Sequence, residues 1–321
     1  DYKEAIKWYQ KSANQGNECS QNQLGDCYYY GRGVKQDYKE AIKWYRESAE
    51  QGNKEAQNSL GRHYYYGIGV ERDYKEAVKW YQKSAKQGNK YSQNQLGECY
   101  YYGRGIKQDY KEAVKWYRKS AEQGYAEAQN SLGDCYYHGH GVTKDYNKAI
   151  KWYQQSAKQG YAYGQEHLGD CYYYGHGVEK DYKSAIIWYE NAVQNGNAWV
   201  QSKIEKIEKE IFNAKKYWEI ASLYYGEKGI KKDYSKIVMW YKKAYEQGDK
   251  DVAFILGSIY KGSELGTNYE EAMKWYCKGA EQGDKYCQSS IGDLYYYGLG
   301  VIQNYKEAVK WYRKAAKQEN K

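Results

Sequence analysis

Residues 17–52 read NECSQNQLGDCYYYGRGVKQDYKEAIKWYRESAEQG. Ser20, Leu24, Cys27 and Tyr28 fall at helical spacing and predict a first helix, here called A. Gly31 and Gly33 close it, because glycine tolerates the left-handed backbone that ends helices. Asp37 with Glu40 three residues on is a capping-box pattern and opens a second helix, B. Ala41, Trp44, Tyr45, Ser48 and Ala49 form its buried stripe, and Gly52 ends it. The small residues Gly25 and Ala41 predict close approach of the two helices.

This unit repeats. Trp8, Trp44, Trp80, Trp116, Trp152 and Trp188 lie 36 residues apart; Trp240 follows after 52, Trp275 after 35 and Trp311 after 36. A fixed period of this size means stacked supersecondary units that bury each other's apolar faces. Residues 17–52 and 89–124 differ at six of 36 positions, which points to duplication of a two-repeat block. The predicted organisation is an orphan B helix over residues 1–16, five regular repeats over 17–196, an irregular repeat with an extended first helix over 197–248, and two further repeats over 249–321, all in one continuous solenoid. The orphan helix lacks an A helix before it, which predicts chain upstream of residue 1.

Mean hydropathy is −1.12, but 45 Tyr and 11 Trp supply buried area that hydropathy scales undercount. That argues for an ordered protein despite the polarity. No apolar run approaches the roughly 18 residues of a membrane span. Cys27, Cys99, Cys135 and Cys171 share one repeat register, about 10 Å apart along the stack, too far for disulfides. They read as reduced core thiols of a cytoplasmic protein. The sequence opens inside a repeat without an initiator Met, which leaves room for a removed targeting segment.

The unit is similar to the Sel-1-like repeat. The residues that carry the resemblance are Ala56, Leu60, Gly61, Tyr64, Gly67, Gly69, Val70, Asp73, Ala77, Trp80, Tyr81, Ser84, Ala85 and Gly88, in register over nearly the whole chain. The resemblance implies an all-α fold, an α-α superhelix: a right-handed solenoid of antiparallel helix pairs close to the tetratricopeptide fold. It also implies adaptor or scaffold work, with helix A lining a concave surface.

With Leu24 at the centre of helix A's buried face, positions 19, 22, 26 and 29 point the opposite way. The candidate protein-binding face is therefore Asn22, Asp26 and Tyr29; Asn58, Arg62 and Tyr65; Tyr91, Asn94, Glu98 and Tyr101; Asn130, Asp134 and Tyr137; and Asp170 and Tyr173. Asparagine carboxamides can pair with an extended peptide backbone, tyrosines give broad contact at low entropy cost, and the acids favour a basic peptide. On helix B the outward row Lys39, Lys43, Arg46, repeated as Lys75, Lys79 and as Lys111, Lys115, Arg118, carries most of the net charge of +9 and reads as a solubilising face. The Tyr and Lys rows lie on opposite faces, which argues against nucleic-acid binding.

No phosphate-binding, zinc-protease or serine-hydrolase motif is present. The Gly31/Gly33 pairs lack the strand and third glycine of a nucleotide fingerprint. His140 and His176 read as solvated loop residues. The sequence thus predicts no catalytic residue, cofactor or metal, and a protein or peptide partner. Two further readings stand beside it: a self-assembling array, joined through its ends or the irregular repeat, and the recognition arm of a larger enzyme or regulator such as a kinase. The uncovered first B helix and the irregular repeat motivate the self-assembling array. The 16 extra residues of that repeat are placed in helix A apart from one in the loop 226–229. Val200, Ile204, Ile207, Ile211, Ala214, Trp218, Ala221 and Tyr225 alternate by four and three, and predict one long helix over 199–225.

Overall fold

A computed structural model of the chain describes residues 2–213, 221, 224, 233–262 and 266–317. Their secondary structure is seventeen α-helices and one 3₁₀ turn, with no strand among the described residues. They divide into two compact units, Asp1–Ala198 and Trp199–Lys321.

In the first unit the B helices are α1 (Tyr2–Ala13), α3 (Tyr38–Glu50), α5 (Tyr74–Lys86), α7 (Tyr110–Glu122), α9 (Tyr146–Lys158) and α11 (Tyr182–Gln194). The A helices between them are α2 (Glu18–Tyr30), α4 (Lys54–Tyr66), α6 (Lys90–Tyr102), α8 (Ala126–His138) and α10 (Ala162–Tyr174). Each packs on its neighbours in sequence. The predicted stripe of helix B is found: Ala41, Trp44, Tyr45, Ser48 and Ala49 are buried, as is Leu24 across from them.

Gly61 shows why the A helix needs glycine at its centre. A Cβ there would sit 2.6 Å from the Tyr81 ring, so the tyrosine lies flat against bare backbone. Gly105 serves another junction. Its φ is +70°, and a Cβ would fall 2.2 Å from the Tyr74 carbonyl oxygen. The loop therefore packs backbone to backbone on the preceding B helix.

Asp37 caps helix B by accepting from the amides of Lys39 (2.9 Å) and Glu40 (3.1 Å). The reciprocal half of the expected capping box is absent, because the Asp37 amide donates instead to the Tyr28 carbonyl at 3.0 Å. That bond ties B to A inside each repeat and recurs as Asp73 to Tyr64 and Asp109 to Tyr100. Glu76, released from capping, meets Lys79 at 2.8 Å and accepts from the Trp80 indole.

Glutamines join the repeats in a pattern the sequence reading did not single out. Gln57 Nε2 donates to the Ala49 carbonyl of the preceding B helix (3.0 Å), and Gln87 Nε2 donates to Gln57 Oε1 (2.8 Å). Gln93 with Gln123 and Gln129 with Gln159 repeat the couple at 2.7 Å. Gln57, Gln93 and Gln129 each add a second bond to a helix-end carbonyl that already accepts from the amide of the closing glycine. Ser84 explains the Ser that stands where the repeat pattern has Ala: its hydroxyl donates to the Lys54 carbonyl at 2.7 Å.

The second unit contains α12 (Gln201–Asn213), α13 (Tyr234–Glu246), α14 (Val252–Gly262), α15 (Tyr269–Glu281), α16 (Lys285–Tyr297) and α17 (Tyr305–Ala316). Of the predicted long stripe, Val200, Ile204, Ile207, Ile211 and Ala221 are buried; Ala214, Trp218 and Tyr225 lie outside the described residues. The Asp233 amide donates to the Tyr224 carbonyl at 3.0 Å. That is the same nine-residue spacing as Asp73 to Tyr64. All 16 extra residues therefore precede Tyr224, and the loop holds none of them, contrary to expectation.

Candidate protein-binding surface

The A-helix layer of the first unit holds the predicted face, and the structure distributes it unevenly. Asn22, Asn94 and Asn130 are buried and Asn58 is half-buried. This departs from an outward-pointing row. Positions 22 and 29 sit on the edge of helix A that meets the next A helix, so the stack covers them. Ser92 Oγ donates to Asn58 Oδ1 across that seam at 2.8 Å. Where the position of Ser92 holds Ala56 or Ala128, the asparagine has no such partner. Asn22 Oδ1 and both carboxamide atoms of Asn94 are accordingly buried without a hydrogen bond. Asn130 is satisfied otherwise, donating to Asp134 (3.2 Å) and lying 2.8 Å from His167 Nδ1.

The acids are also engaged. Tyr45, Tyr153 and Tyr189 hydroxyls donate to Asp26 (2.7 Å), Asp134 (2.7 Å) and Asp170 (2.6 Å). These rungs clamp helix B to helix A. Burial raises the Asp26 pKa, against the Tyr45 hydrogen bond and the Arg32 charge that lower it. Arg62 occupies this register in the second repeat, and the Tyr81 hydroxyl is left buried with no partner. In the third repeat, burial and the neighbouring Glu127 carboxylate push the Glu98 pKa up to about 7, with Arg104 opposing.

Tyr65 is buried, while Tyr29, Tyr101, Tyr137 and Tyr173 are half-buried. The ring of Tyr101 packs edge-on against Tyr110 of the following helix. The loop of the next repeat folds back onto them: Tyr101 and Tyr137 hydroxyls meet His140 and His176 Nδ1 at 2.7 and 2.6 Å, and Arg104 donates to Tyr65. His140 and His176 also stack on Tyr110 and Tyr146. They are thus packed, half-buried residues and not the solvated ones expected. No group of three His, Cys, Asp or Glu able to hold a metal occurs among the described residues.

The open arc of the A helix lies roughly 80° further round than positions 22 and 29. There the last residue of four of the five A helices, Tyr30, Tyr66, Tyr102 and Tyr174, is exposed by 53–57%; in α8 it is His138. Tyr91 and Tyr163, near the helix starts, are also exposed. The row Tyr30, Tyr66, Tyr102, Tyr174 was missed in the sequence; the available signal was the third residue of each Tyr-Tyr-Tyr run. Among the described residues, the A layer also carries a pocket of about 460 Å³ lined by Asn58, Arg62, Tyr66, Tyr91, Gln95, Tyr125 and Glu127. It spans three successive A helices.

The B-helix row is exposed as predicted: Lys39, Lys43, Lys75, Lys79, Lys111 and Lys115 face solvent. Much of its charge is met locally. Lys79 pairs with Glu76, Lys83 lies over the Trp80 ring at 4.1 Å, and Lys119 over Trp116 at 4.5 Å.

The Sel1 repeat family matches residues 1–17, 20–53, 54–89, 90–125, 126–161, 162–197, 214–249, 251–284 and 285–320. The chain belongs to the Sel1 repeat family. The match omits 198–213, a stretch of the same length as the excess spacing, so the family pattern resumes after α12. A protective antigen of uropathogenic Escherichia coli displaying an SLR fold is 34% identical over 99% of this chain and 73% of its own, with a TM-score of 0.60. A Sel1 repeat protein from Oxalobacter formigenes is 33% identical over 76% of this chain and 91% of its own, at a TM-score of 0.62. No curated protein matches the chain. Sel1 repeats generally mediate protein–protein interaction. No helix among the described residues is long and apolar enough to cross a membrane.

Proposed function

We propose that this chain is a non-catalytic scaffold that binds an extended segment of a partner protein along its A-helix layer. One observation carries the reading. Exposed Tyr30, Tyr66 and Tyr102 recur at one-repeat spacing on the layer that also holds the pocket, while the B layer presents a row of lysines of which Lys43, Lys79 and Lys115 pair with a glutamate of their own helix. Tyrosine gives an amphipathic contact with few rotamers to freeze, and a row at fixed spacing suits a chain lying across successive repeats. The face presented is thus the concave one that the family resemblance implies, read through its open edge. A cytoplasmic setting belongs to the same reading: burial pushes the Cys99, Cys135 and Cys171 thiols up to about 12, which suits packing residues and not redox partners.

Photo-crosslinking amino acids at Tyr66 and Tyr102, and separately at Lys79 and Lys115, test the proposal in cells of the source organism. The expected result is a discrete crosslinked partner from the tyrosine sites alone. The purified partner then binds the triple variant Tyr30→Ser, Tyr66→Ser, Tyr102→Ser at least about tenfold more weakly. Crosslinks from the lysine sites only, or an unchanged affinity, would overturn it. Substituting Asn22, Asn94 and Asn130 is a poorer test, because these residues are buried and their loss would perturb folding.

A further inference from the structure

The pocket between α4, α6 and α8 marks where the repeat is least like itself. The register that carries an acid in Asp26, Glu98, Asp134, Asp170 and Asp293 carries Arg62 here. Arg62 is exposed, lines the pocket, and pairs with no carboxylate among the described residues. At another part of the pocket, Glu127 accepts from the Tyr125 hydroxyl at 2.6 Å. Tyr125 meets Tyr91 edge-to-face with centroids 5.1 Å apart. Glu98, the acid of the middle helix, is not itself part of the lining; burial and then the Glu127 charge raise its pKa. Gln95 Oε1 is buried with no hydrogen-bond partner and belongs to the same lining.

Two charge preferences follow. A guanidinium without a carboxylate partner suits an incoming carboxylate, which it can hold with two parallel hydrogen bonds. The Glu127 carboxylate, flanked by the Tyr91 and Tyr125 rings, suits a cation, through charge and through the ring faces. Lys90, whose Nζ is 5.4 Å from the Tyr91 ring centroid, is a long flexible chain that can yield to such a group. Adjacent helices are about 10 Å apart, which an extended peptide spans in about three residues at roughly 3.3 Å each.

We infer that this pocket reads a charge pair in the bound peptide: an acidic side chain seated on Arg62 and a basic side chain about three residues away, seated among Tyr91, Tyr125 and Glu127. The inference rests on the scaffold reading above and sharpens its partner from a generally basic peptide to one of mixed charge. Repeats with an acid in the Arg62 register would not favour the acidic member. The pocket thus sets the register in which the peptide lies.

The test uses the full chain and fluorescein-labelled nonapeptides of Gly, Asn and Ser. Two carry one Asp and one Lys three residues apart, in either order; two controls carry Asp alone or Lys alone. Fluorescence anisotropy at about 50 mM salt keeps the electrostatic terms visible. One of the mixed peptides is expected to bind at least fivefold more tightly than either control. Arg62→Glu should remove that advantage and transfer it to a peptide with Lys in place of Asp. Glu127→Gln should remove the dependence on Lys. Arg62→Gln serves as the milder variant, and circular dichroism melts confirm that each protein is folded. Equal binding of all four peptides, or an Asp preference that survives Arg62→Glu, overturns the inference. If the crosslinked partner binds and is indifferent to all these variants, the scaffold reading stands and the charge pair falls. If neither peptides nor any partner bind, both fall.

Discussion

The B helices of the first unit repeat one another almost bond for bond, whereas the A helices do not. In the B layer the same Asp cap, Ser-to-carbonyl bond and Lys-over-Trp contact recur. In the A layer three of the five repeats close a Tyr–Asp rung, one replaces the acid by Arg62, and one carries Glu98 with a raised pKa. The difference separates two kinds of selection on a copied sequence. Bonds that hold a repeat to its neighbour must be copied, since each repeat depends on the next. Residues that meet a partner are free to differ, and their variation leaves polar atoms open. The orphaned Tyr81 hydroxyl and Asn94 carboxamide fall in two of the three repeats that line the pocket.

The largest effect should come from the joint between the layers. Gly133→Ala places a Cβ 2.6 Å from the Tyr153 ring and is expected to cost about 3 kcal/mol, read by chemical denaturation. Gly124→Ala, where no atom lies within 4 Å but φ is +79°, should cost only about 1 kcal/mol. A reversed order would contradict the packing described for the two layers.

Next come two substitutions at one register with opposite signs. Asp134→Ala leaves the Tyr153 hydroxyl buried and unpaired, and is expected to destabilise by about 2 kcal/mol. Arg62→Asp offers the Tyr81 hydroxyl the acceptor its counterparts have, and is expected to stabilise by about 1 kcal/mol. Stability measured by urea melts would separate them. If Arg62→Asp destabilises, the rung is not what the second repeat lacks.

Glu98 makes the comparison depend on pH. Its folded pKa, about 7, lies above the ordinary carboxylate value. The folded state therefore holds the proton more tightly than the unfolded state, and this group's contribution to stability falls as pH rises from about 4.5 to 7. Glu98→Gln should accordingly stabilise the chain at pH 8 by at most about 1 kcal/mol, allowing for water near a carboxylate that is not fully enclosed. The gain should vanish by pH 4.5. A gain independent of pH would show that charge is not its cause. The smallest effect belongs to the B face: Lys79→Ala removes an exposed pair with Glu76 and should change stability by less than about 0.5 kcal/mol.

Much of the fold is legible in the residues. The Trp spacing, the Gly31 stop and the Asp37 cap place nearly every helix, because backbone termination and capping are local chemistry. The capping box was half right: only the fold reveals that the Asp37 amide is taken by Tyr28. The binding face was less legible. A helical wheel knows where Leu24 points but not that a second A helix covers Asn22 and Tyr65. Nor can it show that loop residues His140 and Arg104 reach back 39 positions to tyrosines of an earlier repeat. Those are contacts between copies, and identical copies do not announce which of their surfaces touch.

Hydrogen-exchange mass spectrometry of the full chain, with and without its crosslinked partner, tests the division of labour between the layers most directly. The account predicts slowed exchange in α4, α6 and the start of α8, with α5 and α7 unchanged. Protection confined to α5 and α7 would contradict it.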